Sequence, residues 1–324
     1  MEEKQQHKTI LLRPFTEIFR SSVKNHIERK GSPDITIHSI PTLNDKIFGL
    51  SRGRVVIIGG RTSQGKTSLA LQLAIDAAQQ GFKVRYLSLE QDEEELADRI
   101  FCNVTNVPFM TYRQDPTRYN DQLEDFHRFS LDKLKSFIVA YKVGAKLNEV
   151  EALVQDLEAD LVIVDYIQAI KKLSQDKLEA INEYIIGFRE SAVKNKFAGI
   201  LVSQVNREAE DKRGSEPNLW NLKGSGTLEE HADTVLLCHY KYAYTKADKD
   251  RGFFKLIVAK QRQGEVGDID LDFEAPMFKF KERRIWAQTN RLDAVPEISR
   301  VKNLFGGTVL EEVNTGDVKS EVVE

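Results

Sequence analysis

Residues 54–67 read RVVIIGGRTSQGKT, an apolar run that breaks into glycines and ends on a lysine and a threonine. The run of valine and isoleucine predicts a buried strand over Arg54–Gly60. Leu69, Leu73 and Ala77 recur at helical spacing and predict a helix over Lys66–Gln80. Between them, Gly60 to Thr67 fit the spacing G-x-x-x-x-G-K-S/T in the strand–loop–helix context that this motif requires. Such a loop is a phosphate cradle. Glycines let backbone N–H groups point inward, and the helix N-terminus adds partial positive charge. The expected ligand is ATP, held by Gly60, Arg61, Thr62, Ser63, Gln64, Gly65, Lys66, Thr67 and Ser68. In this reading Lys66 reaches the β- and γ-phosphates, and the Thr67 hydroxyl ligates Mg²⁺.

A phosphate cradle needs partners elsewhere in the chain. Leu161–Asp165 (LVIVD) is an apolar strand ending in an acid, which makes Asp165 the second Mg²⁺-orienting group. Lys83–Glu90 (KVRYLSLE) is another predicted strand, and Glu90 at its end is placed to polarise an attacking water. The alternative for Glu90 is a helix-capping acid, a job that Asp92–Glu95 can do instead. Gln204 ends the strand Gly199–Gln204 (GILVSQ). Its amide is read either as a sensor of the γ-phosphate or as a plain strand-end side chain.

The rest of the chain sets limits. It has 324 residues, 47 Lys and Arg against 50 Asp and Glu, a net charge of −3, and 41% hydrophobic residues. That balance excludes a disordered chain or a coiled coil, and it leaves room for a local basic groove. No apolar run is long enough to cross a bilayer. The start, MEEKQQHKTI, lacks a hydrophobic signal core. The two cysteines, Cys102 and Cys238, make neither a disulfide framework nor a zinc site. A cytoplasmic protein is expected.

Strands and helices alternate from about Ser39. Further strands are predicted at Phe137–Tyr141, Thr234–Tyr240, Phe253–Gln261 and Gly267–Glu274, with a helix over Asp176–Asn195. The fold class is therefore α/β, a mainly parallel sheet covered by helices and carrying a β-rich C-terminal extension joined by turns. Three parts are expected: a segment over 1–37, a motor domain over 38–290 and a partly disordered tail over 291–324. In the first, Phe15, Ile18, Phe19, Val23 and Ile27 make one amphipathic helix, for packing or for docking a partner.

Five ordered stretches of this chain resemble the RecA-type ATPase domain of replicative DNA helicases of the DnaB family. They are GGRTSQGKTSLALQLA, LSLEQDEEELADR, LVIVDYIQAI, LVSQVNRE with LKGSGTLEEHADTVL, and VAKQRQGEVGDIDLDF, together covering about 38–282. The third and fifth are the most specific, because a generic P-loop protein has no reason to carry them. The resemblance implies a hexameric ring that hydrolyses ATP at subunit boundaries and unwinds DNA, with Glu90 as the catalytic glutamate. It implies that Lys260 and Arg262 enter the neighbouring subunit's site, the arginine as a finger on the γ-phosphate. Without it, the two would be read as a surface basic pair.

The resemblance also implies that the loop with Lys223, Gly224, Ser225 and Gly226 lines the channel and holds single-stranded DNA, a loop otherwise read as a flexible connector. One lysine amid glycine and serine suits sequence-independent phosphate contacts. Lys171 and Lys172 are secondary DNA contacts, and Trp220 is read as a packing residue rather than a base-stacking one. The implied partners are single-stranded DNA, further copies of this chain, and a helicase loader or primase.

The sequence departs from the family in several places. Only about 37 residues precede the match, where the family carries a primase-docking domain. Lys223-Gly224 stands for the usual Arg-Glu, and Glu265 for the usual proline. A phage, plasmid or divergent replicon in a bacterial cell is the expected source. The alternative function is a RecA-fold DNA-binding ATPase, recombinase-like or signalling, that never unwinds.

Overall fold

The computed structural model describes residues 14–28, 33–142, 149, 158–169, 177–205, 215–222 and 230–283. Two units are distinguished, Ser32–Arg283 and the terminal segments Met1–Gly31 with Arg284–Glu324. The expected tail over 291–324 and the DNA-contact candidates Lys171, Lys172, Lys223, Gly224, Ser225 and Gly226 lie outside the described residues.

In the terminal unit one helix is described, α1 (Phe15–Glu28). Phe15 and Phe19, one turn apart, bring their rings to 6.0 Å, and both are exposed. The amphipathic spacing read from the sequence is thus a helix with an apolar face.

The Ser32–Arg283 unit is built on a nine-stranded sheet of order β3-β2-β4-β5-β1-β6-β7-β8-β9. Six strands run parallel: β1 (Val55–Gly60), β2 (Val84–Ser88), β3 (Phe137–Tyr141), β4 (Leu161–Asp165), β5 (Ala198–Gln204) and β6 (Thr234–His239). β1, β4 and β6 are buried along their whole length, so their unbroken apolar runs are those of strands covered on both faces. β7 (Phe253–Gln261), β8 (Gly267–Glu274) and β9 (Lys279–Glu282) continue antiparallel. The β extension was expected. Its short last strand was not, nor were the short helices Tyr242–Thr245 and Asp248–Asp250 where turns were predicted.

Each face of the sheet has its own cover. On one, the helices are α2 (Pro41–Ile47), α3 (Lys66–Gln79) and α4 (Glu93–Thr105). α3 is buried from Ser68 to Ala78 rather than along a single stripe. It packs on the sheet as far as β9, where Gln72 clamps the Phe280 backbone, its Nε2 donating to Phe280 O (2.9 Å) and its Oε1 accepting from Phe280 N (2.8 Å). α2 and α4 add to the same layer through Leu43, Leu96 and Ile100. On the other face the helix over Lys177–Asn195 buries Ile181, Tyr184, Ile185 and Phe188. A satellite cluster joins α4 to the helices at Phe109–Gln114 and Asn120–Lys133 through Phe101, Tyr112 and Phe126. Neither of those last two helices has a buried residue of its own, and their weak apolar stripe left no signal in the sequence.

Candidate nucleotide site

The carboxyl ends of β1, β2, β4 and β5 open into one cleft of about 390 Å³, at the edge where doubly wound sheets bind ligands. The loop after β1 forms its floor. Ser63 and Gly65 both take positive φ, 61° and 77°, which turns successive N–H groups toward a common centre. At Gly65 a side chain would be strained by that φ and would press on Phe280, which a Cβ would meet at 3.0 Å. Gln64 is buried and locks the loop onto the end of β6, its Oε1 accepting from Tyr240 N at 2.5 Å. Gly60 and Arg61 do not line the cleft. Gly60 is strand, and Arg61 lies with its guanidinium 5.5 Å from the Tyr244 ring centroid.

The chemistry-bearing side chains converge on this floor. Lys66, Thr67, Ser68, Glu90, Asp165 and Gln204 all line the cleft with Thr62 and Ser63. Lys66 is largely buried, which lowers its pKa below the ordinary lysine value, while the charges of Cys238, Asp165 and Glu90 act to raise it. Its ammonium donates to Arg61 O at 2.7 Å. Burial raises the Asp165 carboxyl above the ordinary aspartate value, against hydrogen bonds from Tyr86 and Thr67 that lower it. The Tyr86 hydroxyl donates to Asp165 Oδ2 at 2.7 Å. The sequence carried no sign of this contact.

One residue sits differently from expectation. The second strand ends at Ser88, not at Glu90. There the chain folds over, because Ser88 Oγ donates to Gln91 O (2.5 Å) and accepts from Gln91 N (3.1 Å). Glu90 is an exposed residue of that bend, still facing the cleft. Capping falls to Asp92, whose carboxylate accepts from Glu95 N at 2.8 Å. Gln204 does end its strand and is more than a bystander. Its Nε2 donates to Thr62 Oγ1 (3.0 Å), and its backbone N–H donates to Gln168 Oε1 (3.0 Å). Gln168 in turn donates to Ser203 Oγ (2.8 Å), so an amide relay joins the cradle to the end of β5.

Lys260 and Arg262 are absent from the cleft, and the topology says why. β7 runs antiparallel to β6, so its end lies at the amino edge of the parallel strands. Arg262 N donates to Asp233 O, and Asp233 N to Val55 O, which sets Arg262 level with the first residue of β1. The P-loop leaves from the last, about 17 Å away at strand rise. There Arg262 Nη2 donates to Glu230 O (2.6 Å), and its Nη1 lies 3.6 Å from Asp233. Asp233 is buried and also faces Arg54 (3.1 Å) and Arg189 (3.5 Å). This anchor joins residues far apart in the chain and has no local signature. The cleft's side wall was equally unforeseen. It is made by Arg99, Tyr240, Phe273 and Phe278, and Arg99 stands 4.5 Å over the Phe278 ring.

A hard divalent cation fits the donors. The Thr67 hydroxyl and the Asp165 carboxylate touch each other at the cradle floor, oxygen donors of the kind Mg²⁺ shares with phosphates. Among the described residues no cluster of three His, Cys, Asp or Glu could hold a metal unaided. The native pKa of Asp165 is raised above the unfolded value. Ligand-free stability therefore falls as pH rises between the two values and stays low above them. Asp165→Asn removes that buried charge. The ligand-free melting temperature at neutral pH should hold or rise, while Mg²⁺-dependent nucleotide binding is lost. A marked drop in melting temperature would show that the ionised carboxylate holds the fold together.

The sheet and cleft define a P-loop domain of the α/β class. The chain belongs to the DnaB-like helicase C-terminal domain family, which matches it over residues 38–282. It is 29% identical over 294 residues to the replicative DNA helicase DnaB of Helicobacter pylori, covering 87% of this chain and 58% of that protein. It is 28% identical over 254 residues to a probable plasmid replicative DNA helicase of Chlamydia psittaci, covering 73% of this chain and 53% of that protein. The chain thus spans little more than half the length of these curated relatives. Two solved structures share the fold, each over 84% of this chain at 21% identity. One is an ATPase domain matched over its whole length, with a TM-score of 0.74. The other is a DnaB-like replicative helicase described with its primase interactions, with a TM-score of 0.71 and 67% of that chain covered.

Proposed function

We propose that this chain is the motor of a ring-forming, ATP-dependent replicative DNA helicase, acting in the cytoplasm of a bacterium or a phage-infected cell. One observation carries the reading. Lys66, Thr67, Glu90, Asp165 and Gln204 meet in one cleft, while Arg262 is held at the far edge of the same sheet. A fixed guanidinium that cannot serve its own nucleotide is suited to the next subunit's, as the family resemblance implies. A ring of such subunits, a hexamer in this reading, closes every site.

Within that ring the loop N–H groups and Lys66 hold the β- and γ-phosphates of ATP. Thr67 and Asp165 are the residues for Mg²⁺, which when bound offsets phosphate charge. Glu90, exposed to the cleft and two residues beyond its strand, takes a proton from the attacking water. Lys260 and Arg262 of the adjoining copy stabilise charge on the transferred phosphoryl group. Gln204, bonded to Thr62, feels the loss of the γ-phosphate and passes it along β5 toward the segment that carries Lys223. Lys223 to Gly226 hold the backbone of single-stranded DNA, with Lys171 and Lys172 as further contacts. No helix among the described residues is long and apolar enough to cross a membrane.

DNA-stimulated hydrolysis tests the coupling. Single-stranded DNA should raise ATP turnover, and Lys66→Ala should abolish turnover with or without it. Lys223→Ala should weaken single-stranded DNA binding and flatten its dependence on salt, by about one released counterion per lost phosphate contact. DNA-free turnover should survive Lys223→Ala. Equal loss of basal turnover would make that loop a structural element, and unchanged DNA binding would move the contact elsewhere.

A further inference from the structure

One side chain that does not line the cleft holds a residue that does. Tyr86 stands in the middle of β2, beside β4 in the sheet, with Tyr86 opposite Ile163 and Ser88 opposite Asp165. Its ring is buried in the core on the α3 face, with the Phe137 ring 6.5 Å away. Asp165 lies level with Ser88, two residues on, so the phenol spans a diagonal of the sheet that an aromatic side chain can reach. There its hydroxyl donates to Asp165 Oδ2 at 2.7 Å. Asp165 is itself buried at the end of an apolar strand, and its carboxylate also accepts from the Thr67 hydroxyl. The nearby Lys66 ammonium donates to Arg61 O. Thr67 is assigned to the same cation as Asp165. Once its hydroxyl turns to Mg²⁺, Tyr86 is the donor that remains on the carboxylate among the described residues.

We infer that Tyr86 is a positioning residue for the divalent cation: its hydroxyl fixes the plane of the Asp165 carboxylate, holding one oxygen so that the other is offered to Mg²⁺. The inference rests on the assignment of Thr67 and Asp165 to Mg²⁺ in the reading above, and adds to it a residue that touches neither metal nor nucleotide. Mg²⁺ demands near-ideal ligand geometry, and groups that orient a metal ligand are typically worth about 10- to 100-fold in metal affinity. A core tyrosine that only satisfies its own hydroxyl would make the same bond. The two roles differ in what loss of the hydroxyl does. A lost packing contact disturbs the cradle with or without the cation, whereas a lost orienting bond is felt only when the cation is present.

Tyr86→Phe removes the hydroxyl and keeps the ring. Binding of a fluorescent ADP to the assembled protein, in EDTA and across a Mg²⁺ titration, reads the cation's site without turnover. In Tyr86→Phe the free Mg²⁺ needed for half of its effect on ADP binding should rise about 10-fold or more. ADP affinity in EDTA and particle size should stay native, and excess Mg²⁺ should bring ADP affinity back to near the native value. Asp165→Asn should lose the Mg²⁺ response at every concentration. An unshifted Mg²⁺ midpoint in Tyr86→Phe overturns the inference and leaves Tyr86 a core residue. So does an equal loss of ADP affinity in EDTA, the mark of a disturbed cradle, and so does failure of Tyr86→Phe to assemble, the mark of a purely structural bond. ADP binding that ignores Mg²⁺ in the unaltered protein would instead sink the assignment of Thr67 and Asp165 to the cation.

Discussion

Arg262→Ala should lower ATP hydrolysis about 10³-fold, the scale of an arginine finger, and leave ATP binding intact. The binding should survive because Arg262 lines a different edge of the sheet from the cradle, beside Asp233 and Glu230. A subunit with this change keeps a complete cradle and spoils the site of its neighbour. A subunit with Glu90→Gln spoils its own. Rings assembled from a mixture of the two should therefore recover part of the ATP turnover that each lacks alone. Recovery arises wherever a Glu90→Gln subunit offers its intact Arg262 to the cradle of an Arg262→Ala subunit. Mixing must precede assembly, since formed rings need not exchange subunits. Unwinding need not return with hydrolysis if successive boundaries must fire in order. Properly mixed rings without recovered turnover would show that Arg262 does not act on its neighbour's ATP.

Glu90→Gln alone should bind nucleotide normally and hydrolyse it at least about 10²-fold more slowly, the scale for loss of a positioned base. The amide keeps the size and reach of the carboxylate and cannot accept the proton. Structure should be unaffected, because Glu90 is exposed and the turn beside it is made by Ser88 and Gln91. Stopped turnover with unimpaired nucleotide affinity supports the assignment. Near-native turnover would mean that another group activates water.

What was legible in the sequence was local. Phe137–Tyr141, Leu161–Asp165, Phe253–Gln261 and Gly267–Glu274 are strands over the residues predicted, because a continuous apolar run or strict alternation states its own period. The cradle was legible because its spacing is a backbone requirement. Glu90 was misplaced by two residues because a serine hydroxyl, and not a glycine or proline, closes the second strand. Asp233 was illegible because its meaning lies in three arginines brought together only by the fold. Trp220, expected to pack, is 74% exposed; it was misread because apolar residues usually pack, and burial is settled by which neighbours arrive rather than by the residue itself.

Strand displacement on a forked duplex tests the central claim most directly. The assembled protein, given ATP and Mg²⁺, should release the labelled strand of a fork with single-stranded arms. The Lys66→Ala and Glu90→Gln proteins should release none. Robust DNA-stimulated hydrolysis with no strand released from forks of either arm polarity would contradict the account, and would leave a DNA-binding ATPase of the same fold that does not unwind.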